Sequence, residues 1–229
     1  MTRAVLFDVA GTLAMPEDRD RWLRRAAATA GFDVGDERAA ARLAESLEAV
    51  GRPGGPYPSA VPPALAEAYA ARDLSPERHR AGYTGLLATA VDTPLATALY
   101  DRILLPDGWV AYADAAGVLE ALQAAGLRVG AVSNVGFDLR PVLDGLGLLG
   151  LLDACVLSFE VGVAKPDPRI FRAACTALGV DPAQTLMVGD HPEADGGAAA
   201  AGLRTLILPM TPAGGVHGLE AVLREAGAG

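Results

Sequence analysis

The chain almost lacks lysine. Among its 229 residues Lys165 is the only one, and arginine supplies nearly all the positive charge. With Lys and Arg totalling 19 against 28 Asp and Glu, the net charge is −9. Free nucleic acid and anionic membranes reward basic surface, so neither is an expected partner. Cysteine is equally scarce. Cys155 and Cys175 lie in apolar segments without metal-type spacing, which reads as two free thiols of a cytoplasmic protein. No apolar run is long enough to span a bilayer: the most membrane-like stretch, residues 143–157, is broken by Asp144 and Asp153. The first apolar run is interrupted by Asp8, so no basic-then-apolar leader is expected at the start. Internal repeats are absent, and the only low-complexity tail is residues 226–229.

What is present is a globular composition. Apolar residues make up 51 %, enough for one sizeable domain with a second inserted into it. Ala4–Phe7 is a β-prone run without polar alternation, as expected of a parallel strand covered on both faces. From about residue 16 strand signals become rare and Ala, Arg and Glu dominate. Trp22, Leu23 and Ala26 suit one helical face; Leu43, Leu47 and Val50 suit another; Gly31 and Gly51 read as stops. Residues 52–58, Arg-Pro-Gly-Gly-Pro-Tyr-Pro, are a loop. Helices are expected to resume near Pro63, Ser75 and Pro94. Residues 14–106 are therefore expected to form an all-α insert between core segments 1–13 and 107–229.

After Asp107 strand and helix alternate. Strands are expected at 127–132, 154–157, 185–188 and 204–208. The helices between them carry inward faces such as Leu139, Val142, Leu143 and Leu146, or Ile170, Phe171, Ala174 and Leu178. Asp167-Pro168 supplies an N-cap acid followed by proline at the first helical position. The fold expected is α/β, a doubly wound parallel sheet with helices on both faces. Asp8, Ser133 and Asp190 each fall where a strand ends. The carboxyl ends of such strands form the ligand crevice, so three distant segments would meet at one site.

Four motifs follow in order: Asp8-Val9-Ala10-Gly11-Thr12-Leu13, Ser133-Asn134, Lys165-Pro166-Asp167, and Gly189-Asp190 with Asp195 five residues on. Together with the helical insert after the first, they resemble the haloacid dehalogenase (HAD) superfamily of aspartate-nucleophile hydrolases, over the whole chain. The resemblance implies a Rossmann-like core with a helical cap, and Asp8 as a nucleophile forming a covalent intermediate that water hydrolyses. For a phosphorylated small-molecule substrate it also implies Mg2+, held by Asp8, Asp190 and the backbone carbonyl of Ala10, to remove the repulsion between two anions. Asp195 would orient the site without being a direct ligand. Ser133, the Asn134 backbone amide and Gly11 would bind the transferred group, Lys165 would neutralise Asp8, and Thr12 would bond at the turn. Arg52, Tyr57, His79 and Tyr83 are candidate substrate contacts from the cap, and His191 from the rim. Neither substrate identity nor oligomeric state is encoded in a motif.

Ala10 departs from the phosphatase pattern, in which a second aspartate two residues after the nucleophile protonates the leaving oxygen. Such help is worth roughly 10²- to 10⁴-fold. A phosphonatase would need a cap lysine, and this insert has none. A 2-haloacid dehalogenase needs no leaving-group acid, but relatives of that kind carry an aromatic residue at this position and use no Mg2+. A non-catalytic Mg2+- and phosphate-binding regulator is a further alternative. The favoured reading is a Mg2+-dependent phosphohydrolase acting on activated leaving groups, or one whose proton donor comes from the cap or the substrate.

Overall fold

A computed structural model of the chain describes residues 1–228. Five short strands, β1 (Ala4–Phe7), β4 (Arg128–Ser133), β5 (Ala154–Leu157), β6 (Thr185–Gly189) and β7 (Arg204–Ile207), form one parallel sheet in the order β5-β4-β1-β6-β7. The first strand lies in the middle, where its Ala-Val-Leu-Phe run is covered on both faces, as its lack of polar alternation requires. The chain winds outward on one side through β4 and β5, then returns to β1 and continues through β6 and β7. That reversal places a crevice at the carboxyl ends of β1, β4 and β6.

One face of the sheet packs Val5, Phe7, Val129 and Val188 against α6 (Ala115–Ala124), α7 (Arg140–Gly145) and α10 (Glu220–Ala226). The other packs Leu6, Val132 and Met187 against α9 (Pro168–Leu178) and a 3₁₀ segment, Gly196–Ala201. Helix α9 begins as the sequence suggests. The Asp167 carboxylate accepts the Arg169 N–H, proline occupies the first position, and Gly179 closes the helix in a left-handed conformation.

Between β1 and the rest of the sheet lie α1 (Arg19–Ala30), α2 (Glu37–Val50), α3 (Ala66–Ala70), α4 (Pro76–Leu87) and α5 (Thr93–Arg102). Asp18, Asp36, Ser75 and Asp92 cap four of these through backbone N–H groups, each worth about 0.5–2 kcal/mol. Trp22, Leu23, Leu47, Leu87, Leu95 and Leu99 form a buried apolar cluster of their own. The segment expected to be all-helical from residue 14 instead opens with a strand, β2 (Ala14–Pro16), paired antiparallel with β3 (Trp109–Ala111). Pairing is favoured because both chain crossings between the helices and the sheet pass side by side. An ion cluster ties the same place: Arg102 Nε donates to Glu17 Oε1 at 2.7 Å, and Arg102 Nη1 to Asp107 Oδ1 at 2.7 Å. No helix among the described residues is long and apolar enough to cross a membrane.

Candidate active site

Asp8 directly follows β1, and its N–H still bonds Val188 O at 2.9 Å, extending the parallel ladder by one residue. The chain then turns back tightly, with Val9 O accepting the N–H groups of Thr12, Leu13 and Ala14. Gly11 makes the turn possible in two ways. Its φ is +92°, and a Cβ there would lie 2.5 Å from Asp190 Oδ2. Glycine thus lets the loop after β6 bring its carboxylate beside the loop after β1. Gly189 gives the same clearance to the Asp195 carboxyl.

Four charged groups converge. Lys165 Nζ stands 2.7 Å from Asp8 Oδ1 and 2.7 Å from Asp195 Oδ1, with its side chain only 3 % exposed. Carboxylate oxygens of Asp8, Asp190 and Asp195 approach within 4.8 Å of one another. Burial pushes the Asp8 carboxyl up to about 7; Lys165 opposes this, while Asp195 and Asp190 add to it. Burial likewise raises Asp190, with Asp195 adding to the effect. For Lys165, burial alone would lower the ammonium, but Asp8 and Asp195 outweigh it and hold it above the ordinary lysine value.

Three carboxylates facing one ammonium leave an excess of negative charge, and the donor set is hard oxygen. A divalent cation such as Mg2+ fits that set. Both oxygens of Asp195 already have partners. Its Oδ1 accepts from Lys165 and its Oδ2 accepts the His191 N–H at 2.9 Å.

Asn134 carries out a task that its motif did not announce. Its Oδ1 accepts the Lys165 N–H at 2.7 Å and its Nδ2 donates to Lys165 O at 2.9 Å. The side chain thereby splices the loop after β4 to the segment that carries the lysine. Ser133, buried at the end of β4, lines the same cavity as Asp8, Lys165 and Asp190. That cavity, of about 700 Å³, lies between the carboxyl end of the sheet and the helical segment.

Several expected contacts fall elsewhere. Thr12 is fully buried outside the cavity lining, and its hydroxyl has no hydrogen-bond partner among the described residues. Gly11 also lies outside the lining and serves as clearance for Asp190. Arg52 reaches the cavity edge, but its guanidinium donates to Glu17 O and Glu48 Oε1 and stacks over Trp22, so it braces the loop. His79 is buried in packing. Its Nδ1 lies 2.8 Å from Tyr100 Oη, its ring contacts Tyr83 and Phe137, and burial with Arg72 nearby pushes it down to about 3. Tyr57, Tyr83 and His191 do line the cavity, and Tyr57 meets His191 edge-on.

Residues passed over in the sequence complete the upper wall. Arg72 lies over the Tyr69 ring at 4.2 Å and donates through Nε to Tyr83 Oη at 3.2 Å. Asp73 lies beside it, with Arg72 Nη2 3.4 Å from Asp73 Oδ2. Both belong to a one-turn 3₁₀ segment, Arg72–Leu74, too short to show a period. The Tyr69-x-x-Arg72 spacing was the one available signal.

A family model described as haloacid dehalogenase-like hydrolase matches residues 2–202. A phosphoserine phosphatase of Thermus thermophilus is 41 % identical over 97 residues, 42 % of this chain and 39 % of that protein. (S)-2-haloacid dehalogenase 1 of a Pseudomonas species is 39 % identical over 97 residues, 42 % of this chain and 43 % of that protein. The chain spans about half the length of the curated relatives it matches. Among solved structures, the HAD hydrolase YfnB of Bacillus subtilis, bound to magnesium, superimposes with a TM-score of 0.70 at 19 % identity, over 99 % of each chain. That likeness is one of fold. The chain belongs to the haloacid dehalogenase-like hydrolases.

Proposed function

We propose that this haloacid dehalogenase-like hydrolase is a Mg2+-dependent phosphohydrolase acting on a small phosphorylated substrate through an aspartyl-phosphate on Asp8. The observation that carries the reading is the third carboxylate. Relatives named for phosphatase and for dehalogenase activity are about equally similar, so identity does not choose between them. The local charge supports the phosphatase reading. Asp190, pressed against Gly11, adds negative charge beside the nucleophile and favours its protonated form, which opposes attack unless a cation offsets it. A site that takes up a divalent cation uses that excess charge.

Asp8, Asp190 and the Ala10 carbonyl would hold the ion, which supplies charge neutralisation at the transferring phosphoryl oxygens. The chain's own residues do the rest. Lys165 favours the ionised form of Asp8 and aims it, because its ammonium sits against one carboxylate oxygen and leaves the other to attack phosphorus. Ser133 Oγ and the Asn134 backbone N–H donate to non-bridging oxygens. Asp195 fixes both Lys165 and the turn at His191. Residues 1–13 and 107–229 form the catalytic core under this reading, and residues 14–106 the cap. The separate apolar cluster of the helices and the paired crossing at β2 and β3 support the division. Specificity then resides in Tyr57, Tyr69, Arg72 and Tyr83 on the upper wall.

The test is hydrolysis of a nitrophenyl phosphate with Mg2+, against halide release from a 2-haloacid in the presence of chelator. Phosphate release that chelator stops supports the reading. Metal-independent halide release would replace it with a dehalogenase. Retained phosphate binding without turnover would make the protein a regulator.

A further inference from the structure

We propose that Asp73, from the helical segment, is the general acid and base that Ala10 cannot be. The inference rests on the phosphohydrolase reading and goes one step further, naming the residue that handles the proton.

The placement is the argument. Ala10 offers a methyl group where a leaving-group acid would be wanted, and a second pocket of about 40 Å³ is lined by Ala10, Asp73, Ser133 and Asn134, all of which also line the main cavity. Asp73 also lines the main cavity with Asp8 and Lys165. Apart from Glu193, it is the one cavity carboxylate outside the charge cluster. Asp8, Asp190 and Asp195 belong to the charge cluster, and Glu193 is exposed on the rim.

The position is fixed from both sides. Ser158 Oγ donates to Asp73 O at 2.5 Å and also accepts the Val135 N–H at 2.9 Å. Asp73 is thereby tethered to the residue that follows Ser133-Asn134. A Cβ on Gly136 would collide with Arg72 O, so the two chains touch at this point. Arg72 holds one carboxylate oxygen of Asp73. The groups facing Asp73 are Arg72 from its own segment and Lys165 from the core, both of which favour the carboxylate, and burial, which favours the acid and prevails. Two other candidates are committed elsewhere: His79 to Tyr100, and Tyr83 to Arg72.

The chemistry balances without a further reactant. As Asp8 attacks phosphorus, the bond to the leaving oxygen breaks and that oxygen takes the proton of Asp73, departing as an alcohol. The Asp73 carboxylate then removes a proton from water as the water oxygen attacks the aspartyl-phosphate. Phosphate leaves, Asp8 regains its carboxylate, and Asp73 is again protonated.

The experiment measures kcat/KM with Mg2+ over aryl phosphates from dinitrophenyl to phenyl, for wild type, Asp73→Asn, and Asp73→Asn combined with Ala10→Asp. Wild type should show a shallow dependence on leaving-group pKa. Asp73→Asn should lose about 10²- to 10⁴-fold on phenyl phosphate and far less on dinitrophenyl phosphate, where no proton is needed. The double variant should recover phenyl phosphate turnover, because residue 10 lines the same pocket and returns a carboxylate to it. An equal loss across the series, or none, overturns the role of Asp73 and leaves the phosphohydrolase standing. Failure of wild type on every phosphate overturns both. Should Asp73→Asn not fold, the wild type alone decides. Its leaving-group dependence must steepen as pH rises and the acid is lost, and a slope unchanged with pH contradicts the proposal.

Discussion

Asn134, the only asparagine of the chain, clasps Lys165, the only lysine, through two hydrogen bonds to its backbone, at 2.7 and 2.9 Å. The amide donates from one atom and accepts at another, which an ionised Asp, an acceptor only, does not reproduce and a Ser hydroxyl, with its single oxygen, does not span. Asn134→Ala should therefore misplace the ammonium without removing it. Losses of supporting contacts at comparable sites run about 10- to 100-fold. The expected result is a fall of that order in kcat with the Mg2+ requirement retained, measured by steady-state kinetics. Wild-type kcat in the variant would mean that the clasp serves folding alone.

The strained charge of Asp8 gives a stability prediction. Its pKa is about 7 in the folded chain and 3.8 in the ordinary state, so between these values the folded form holds more protons than the unfolded form. Stability without metal must fall as pH rises from about 4 to 7, and the loss is complete above that range. Asp8→Asn should abolish turnover, yet raise the unfolding midpoint at pH 8 in chelator. Lys165 would then face Asp195 in a balanced pair. Thermal unfolding against pH checks this, and a variant less stable than wild type at every pH refutes it.

His79 gives the opposite slope. Burial and Arg72 push it to about 3 from 6.5, so it stays neutral inside while the unfolded chain takes up a proton. Its contribution is intact above about 6.5 and drains away as pH falls toward 3. His79→Gln keeps a polar group for Tyr100 and should flatten this acid limb, as read by unfolding midpoints across that range. An unchanged limb would show that other groups govern acid unfolding.

The core was legible because its grammar is local. Four of the five parallel strands are short runs, largely apolar, ended by glycine or a polar residue, and in such a sheet those ends converge wherever the helices go. Asp8, Ser133 and Asp190 fall at such ends and are expected at one site, whereas Lys165 does not directly follow a strand and is joined to them only by the family resemblance. The helical segment was legible only as helices. Which face of each meets the crevice depends on packing between residues far apart in sequence. Arg52 looked available, but Glu17 and Glu48 occupy it. His79 looked like a ligand contact, but Tyr100 and Phe137 enclose it. Arg72 and Asp73 were passed over because a single 3₁₀ turn carries no periodicity to mark its inner face. Thr12 was given a partner by analogy, and its buried hydroxyl has none among the described residues.

The central claim is that Asp8 is the atom-level acceptor of a phosphoryl group. Rapid acid quench during turnover of a nitrophenyl phosphate with Mg2+, followed by peptide mass analysis, tests it most directly. The account predicts one added phosphoryl group on the peptide containing Asp8, lost on neutral incubation and absent in Asp8→Asn. Sustained phosphate release with that peptide unmodified, or with Asp8→Asn still active, would contradict it.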